Sequence, residues 1–443
     1  MTTPNNAALP HQVGLPGAVL IGLGSMIGTG VFVGLSLAAG DAGAWLWLAI
    51  LIAAALALCN GLASAANAGA HPRSGGAYEY GTHFLNPAMG FSAGWSFLCA
   101  KSASGATAAL GVGGAIAIAL GSDSGLTAQI IAGAVVLGIT ALAAGGLRRS
   151  NLLNFIIVAL VLGALGVFVA LMLPHALGDR TPELILETGI EPPGAADPVG
   201  VSDLLRASAL VFIAFAGYAR IATMTEEIRD PKRTIPRAVI ITIGIVCGLY
   251  LAVAFVVMGA VGHETFGWLG QAEAVAPLQR IATEIVGHPL GVMMAIAATA
   301  AMLGVLLNLV LGLSRILMAM ARRADAPRFF AHTNTHNASP ARAVWGMGLI
   351  VFGLVLLGDV RLTWSLSAFS VLVYYAVNNL AALRIPRGAS IVPKAIPLVG
   401  LIGCVLLASQ VELRALGAGI AILAVGFVLR AIWHRLSRRD HAA

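Results

Sequence analysis

A chain of 443 residues that is 58% hydrophobic and only 10% charged, with a mean hydropathy of +0.90, has more apolar surface than a water-soluble core of that size hides. This excludes a soluble globule and predicts an integral membrane protein. The net charge of +7 is spread over the segments between apolar runs and forms no nucleic-acid footprint.

Crossing roughly 30 Å of hydrocarbon takes about 20 apolar residues. Runs of that order begin near Leu15, Ala44, Pro87, Thr127, Leu152, Leu204, Ile235, Leu290, Val344, Leu362, Ile396 and Leu416. Twelve spans put both termini on one side. The opening MTTPNNAALPHQVG has neither a basic n-region nor a cleavage site, so the first run is expected to be a retained span.

That first run is interrupted at its midpoint by GLGSMIGTGVF, Gly22 to Phe32, which gathers four glycines, a serine and a threonine. At membrane depth an unwound backbone survives only where it lines a cavity, because each unpartnered amide or carbonyl there costs several kcal/mol. Unwinding would present the amides of Gly28, Thr29 and Gly30 at the positive end of the outer half-helix, suited to a carboxylate. The other reading is that a glycine-rich span packs closely on its neighbours.

In the third run Lys101 lies 14 positions beyond Pro87, about 21 Å along a helix. A lysine so deep is a functional candidate, here for carrying the coupling proton. Alternatively its stem snorkels to the surface, or it pairs with a carboxylate such as Glu226. The longest connection is the Pro- and acid-rich segment from Pro174 to Pro198.

The sixth run breaks at FIAFAGYAR, Phe212 to Arg220, and continues into TEEIRDPKRTIPRA. Carbonyls of Ile213, Ala214, Phe215 and Ala216 would accept from an ammonium, so the two breaks together describe a zwitterion site. Five spans separate the breaks, so the interrupted helices run in opposite directions, as in an inverted repeat. Arg220 is expected to bind an acidic substrate side chain or to form a cytoplasmic gate with Glu226, Glu227 or Glu79. The eighth run extends to Arg323 and is expected to tilt or project.

Nineteen of the 26 basic residues fall on one face once the spans are drawn, five on the other and two inside spans, whereas thirteen of the nineteen acids fall opposite. Both termini are therefore expected in the cytoplasm. The isolated Cys59, Cys99, Cys247 and Cys404 read as small hydrophobes, with no disulfide framework. The histidines, His71 and His83 among them, read as surface residues without ligand spacing, so no metal and no cofactor is expected. P-loop and haem motifs are missing from the sequence, which argues against an enzyme, and a single pair of breaks argues against a channel.

GLGSMIGTGVF, HPRSGGAYEYG after the second span, GYARIATMTEEIRDPKRTIPRA from the sixth into the seventh, and GLSRILMAMARRADAPRFF after the eighth resemble the marker segments of the amino acid–polyamine–organocation (APC) permeases. The resemblance covers nearly the whole chain. It implies an all-α integral membrane protein of twelve transmembrane helices with a LeuT-type fold, in which two inverted five-helix repeats are followed by two C-terminal helices. The corresponding boundaries are a cytoplasmic tail at 1–13, helices 1–5 in 14–173, helices 6–10 in 201–385, helices 11–12 in 394–433 and a tail at 434–443. It also implies alternating-access transport of an amino acid across the plasma membrane. The substrate would meet Met26, Gly28, Thr29 and Gly30 in the first break and Ile213, Ala214, Phe215, Ala216 and Gly217 in the second, with Phe215 closing the site from outside. The expected partners are the amino acid, the lipid bilayer and protons, with no nucleic acid and no obligatory protein.

Many proton-coupled relatives are similar in placing a lysine in span 5, which this chain lacks, and Lys101 is the candidate to replace it. Span 8 reads Leu303 and Gly304 where sodium-coupled relatives carry hydroxyls, which favours protons or plain exchange. The small Ala214, Ala216 and Gly217 favour a neutral or bulky amino acid. An amino acid or amine exchanger is the alternative function, ahead of a sensor.

Overall fold

The computed structural model describes residues 13–73, 75–122, 124–145, 151–178, 199–223, 225, 228–272, 277–332, 340–386 and 388–439. These residues are helical almost throughout, and an isolated backbone bridge between Val13 and Ile228 is the only strand-like pairing among them.

Helix α1 spans Leu15–Met26 and opens on Pro16, whose fixed φ and missing N–H suit a first turn. After a break the helix resumes as a π-turn over Gly30–Gly34 and continues as α2, Leu35–Ala42. Gly43, at φ +51°, turns the chain into α3, Leu46–Ala70, in a conformation that a side chain would strain. Next come a short connecting helix α4 (Ala77–Phe84), then α5 (Pro87–Ala119), α6 (Gly125–Ala144) and α7 (Asn151–Leu177). The Asn86 side chain caps α5 by accepting from the Met89 amide at 2.9 Å. Pro174, expected to open a loop, instead lies inside the last turn of α7.

The sixth run forms α8 (Val201–Phe215), a 3-10 turn over Ala216–Tyr218, and α9 (Ala219–Thr223). It is followed by α10 (Pro231–Val261), two shorter helices α11 (His263–Ala272) and α12 (Pro277–Ile285), and α13 (His288–Arg322). At 35 residues α13 is about 52 Å long, in keeping with the projection expected of it. The chain ends with α14 (Ala341–Val355), α15 (Val360–Arg384), α16 (Ala395–Gln410) and α17 (Leu413–Arg439).

Among the described residues nine helical stretches are long and apolar enough to cross a membrane, and α1, α14 and α16 are shorter apolar helices. Their surroundings differ sharply. In the most apolar window of α5, 83% of the residues are buried within the protein, and in that of α15 78%, against 17% in α17. The molecule is therefore built around α5 and α15, with α17 at its periphery.

These two helices run antiparallel. Phe97 meets Tyr374 (ring centroids 5.1 Å apart), Ser104 shares a hydrogen bond with Ser367 (2.7 Å) and Thr107 with Thr363 (2.9 Å), so position rises on one as it falls on the other.

Candidate functional site

The first interruption is a true break. The Ile27 amide still bonds back to Leu23 O (2.8 Å), but Ile27 itself turns extended (ψ 101°) and the next helical bonds come from Val31 and Phe32 to Gly28 O. Between them the amides of Gly28, Thr29 and Gly30 make no hydrogen bond among the described residues. The Thr29 hydroxyl is likewise buried without a partner. Three unspent amides and a hydroxyl at the start of a half-helix can hold an anionic group.

The second interruption is milder than expected. Ala216 tightens into a 3-10 turn, with its amide on Ile213 O, and the helix then continues as α9. With one glycine in FIAFAGYAR against four in the first break, the backbone is tightened and not unwound.

The two interruptions meet. Gly217 packs against the carbonyl of Ser25 and Gly30 against Ala214, each so closely that a Cβ would collide. Gly28 faces α13, where a Cβ would come within 2.7 Å of Val305. Tyr250 of α10 stands at the junction, its hydroxyl 3.1 Å from Met26 O and 3.3 Å from Ala214 O, so one donor serves a carbonyl in each interrupted segment. Tyr375 of α15 donates to Ala216 O at 3.1 Å, and Trp364 donates through Nε1 to Leu210 O at 3.1 Å. Phe215 is fully buried with its ring 5.2 Å from that of Tyr250, and Phe212 stands edge-on to Tyr375.

Met26, Gly28, Thr29, Gly30, Ile213, Ala214, Phe215, Ala216 and Gly217 are therefore brought together in one cluster, buried except for the half-buried Gly217. The sequence reading missed Tyr250, Tyr375 and Trp364. The available signal was a phenol or indole inside an apolar span, whose polar atom must find a partner when buried.

Lys101 is buried on α5, 8% exposed, and makes no hydrogen bond or ion pair with a described residue. Its height follows from the α5–α15 seam. It lies between Phe97, at the level of Tyr374, and Ser104, at the level of Ser367. On α15 the bracketing residues Trp364 and Tyr375 reach Leu210 and Ala216. Lys101 thus sits at the depth of the α8 residues that lead into the second interruption, on the flank of α15 that α5 covers.

Arg220, on α9, brings its guanidinium within 3.1 Å of the position a Cβ on Gly312 would take. Its expected partners Glu226 and Glu227 lie outside the described residues. The third, Glu79, has its carboxylate on Arg323 (2.7 and 2.9 Å) and on His71 (3.5 Å). His71, read from sequence as a surface residue, is half-buried by this contact and by stacking on His83, ring centroids 4.0 Å apart. Among the described residues no group of His, Cys, Asp or Glu is arranged to hold a metal ion.

The sequence profile of the amino acid permease family ("Amino acid permease") matches residues 13–429. An uncharacterized transporter of Mycobacterium tuberculosis is 40% identical over 440 residues, covering 97% of this chain and 93% of its own. The vacuolar cationic amino acid transporter 2 of Arabidopsis thaliana is 28% identical over 80% of this chain and 56% of its own. A branched-chain amino acid permease of Bacillus subtilis is 24% identical over 78% of this chain and 74% of its own.

Proposed function

From the premise that this chain belongs to the amino acid permease family, and so is a membrane transporter, we propose that it carries an amino acid by alternating access, coupled to protons in the direction of uptake. In this reading the twelve apolar runs are twelve spans, helices 1–5 and 6–10 form inverted repeats, and both termini are cytoplasmic in the plasma membrane. The observation that carries the proposal is the contact between the two interrupted helices. Three amides and a hydroxyl without partners lie within a few residues of carbonyls from both segments. A zwitterion matches that pair of surfaces. Its carboxylate takes the amides of Gly28, Thr29 and Gly30 and the Thr29 hydroxyl, and its ammonium takes carbonyls of Met26, Ile213, Ala214 and Ala216.

None of the residues assigned to the site carries a charge, which favours a neutral side chain on the substrate. The names of the Arabidopsis and Bacillus relatives describe cationic and branched-chain substrates for those proteins. Lys101, at the depth of the α8 residues that lead into the second interruption, is assigned the coupling proton, and Arg220 with Glu226 and Glu227 the cytoplasmic gate.

The test begins with thermal shifts of the purified protein against the twenty amino acids and common polyamines, since a ligand of the folded state raises its melting temperature. An amino acid hit is then used in proteoliposomes with an imposed proton gradient. Uptake driven by the gradient in the wild type and lost in Lys101→Ala, with substrate binding retained, is the expected result. Binding by no amino acid would overturn the substrate class. Gradient-independent uptake that needs amino acid on the other side would replace symport with exchange.

A further inference from the structure

The outward face of α10 carries cations at its start and bare backbone behind them. At 100° per residue, Arg233, Arg237, Ile240, Gly244, Gly248 and Phe255 fall within about 80° of one another around the helix. All six are exposed. A Cβ on Gly244 or Gly248 would meet nothing within 4 Å, so no other described residue covers this stretch.

Further cations lie near the start of α10, one on the helix itself and two on neighbouring segments. The Lys232 side chain lies over Gly69 at the end of α3, where Ile391 also packs. Arg73, just beyond α3, and Lys394, three residues after Ile391, are both exposed. Lys232 and Arg237 make no hydrogen bond or ion pair with a described residue. Among the described residues Arg233 has only Asp230, 3.8 Å away between side chains 79% and 60% exposed, a pairing that holds little of its charge.

We propose that this face binds an anionic phospholipid, with the phosphate between Arg233 and Arg237 and one acyl chain along the Gly244–Gly248 floor. Guanidinium groups suit phosphate oxygens because their donors form a fork. The dimensions agree: Gly244 lies about 10 Å and Gly248 about 16 Å beyond Arg237 along the helix, the depth of one leaflet of a hydrocarbon layer roughly 30 Å thick. A second copy of the chain fits less well. A glycine floor also suits a packed helix, but two copies meeting on this face in the same membrane orientation would bring four arginines to one height with nothing to neutralise them. The inference rests on the membrane-spanning reading alone and is independent of which substrate is carried.

The experiment is native mass spectrometry of the detergent-purified protein titrated with phosphatidylglycerol or phosphatidylcholine. The expected result is retention of phosphatidylglycerol about tenfold more strongly than phosphatidylcholine. The preference disappears in Arg233→Gln/Arg237→Gln, whose exposed substitutions leave helicity and monodispersity unchanged. In Gly244→Leu/Gly248→Leu retention of both lipids falls. Equal retention of the two lipids by the wild type, or an unchanged preference in the arginine variant, would overturn the proposal. So would displacement of the lipid by inorganic phosphate at equal concentration, which would reveal a simple anion site. A species of twice the mass that Gly244→Leu/Gly248→Leu abolishes would assign the face to a second copy instead.

Discussion

Tyr250 has one hydroxyl hydrogen and two carbonyls within reach, Met26 O and Ala214 O. A phenol donates once at a time, whereas an ammonium donates three times, and each carbonyl has a second lone pair to offer. The hydroxyl therefore aligns the acceptors without exhausting them. Tyr250→Phe keeps the ring packed against Phe215 and removes only that alignment. Losing a hydrogen bond of about 1.5 kcal/mol corresponds to a KM about tenfold higher. The effect belongs in KM with the maximal rate little changed, read from initial uptake rates; an unchanged KM would make Tyr250 a packing residue. At this scale the sequence was legible where a residue contradicts its surroundings. Four glycines and a lysine inside apolar runs announce themselves, but Tyr250 does not, because a tyrosine in GLYLAV is ordinary until its partner carbonyls are seen to belong to two broken helices.

Individual helices hold together through polar contacts that hydropathy conceals. Between α3, α15 and α16, Asn379 donates to Asn60 Oδ1 (2.6 Å), Asn67 to Asn378 O and Oδ1 (2.9 and 3.0 Å), and Asn378 to Ser64 Oγ (3.1 Å). Cys404, read from sequence as a small hydrophobe, shares this cluster at 3.3 Å from the Asn60 amide. All these residues are buried. Asn379→Leu leaves Asn60 Oδ1 with only the weak thiol donor of Cys404 (3.5 Å), and a buried polar group so poorly paired costs about 1–3 kcal/mol. The double change Asn60→Leu/Asn379→Leu removes both partners and is expected to destabilise less than the single one, as measured by thermal unfolding in detergent; a larger loss in the double variant would show that shape, not pairing, sets the cost. The positions of the helices were legible because each must bury a long apolar run. The second interruption was legible only in place, and its form was overstated, since a lone Gly217 tightens a helix where Gly28 and Gly30 open one.

Across the whole molecule the interruptions lie between two closures at opposite ends of α15. At one end Arg361 bridges Asp41 of α2 (2.9 Å) and Glu412 ahead of α17 (2.6 Å). At the other, α4 is fastened twice: Glu79 to Arg323, and Tyr78 to Asp325 (2.8 Å), which Arg430 of α17 (2.7 Å) and His434 (3.2 Å) also hold. The Ala77 amide, 3.3 Å from the Tyr374 hydroxyl, ties this second closure to the helix whose next residue holds Ala216 O. These closures bind segments far apart in sequence, which is why no local pattern revealed them. The proposed alternating access requires that one closure open while the other holds, so weakening each should bias the molecule in opposite directions. Thr29→Cys, introduced after Cys59, Cys99, Cys247 and Cys404 are replaced by serine, reports which end is open. With Arg323→Gln the new thiol should react faster with a membrane-impermeant reagent supplied from the Arg73 side, and with Arg361→Gln faster from the other side. Arg323 is 40% exposed and solvent already screens its pair, whereas the Asp41 side chain is only 6% exposed, so the larger change is expected from Arg361→Gln. Equal labelling from both sides in both variants would mean that these ion pairs only hold the helices together and do not govern access to the interruptions.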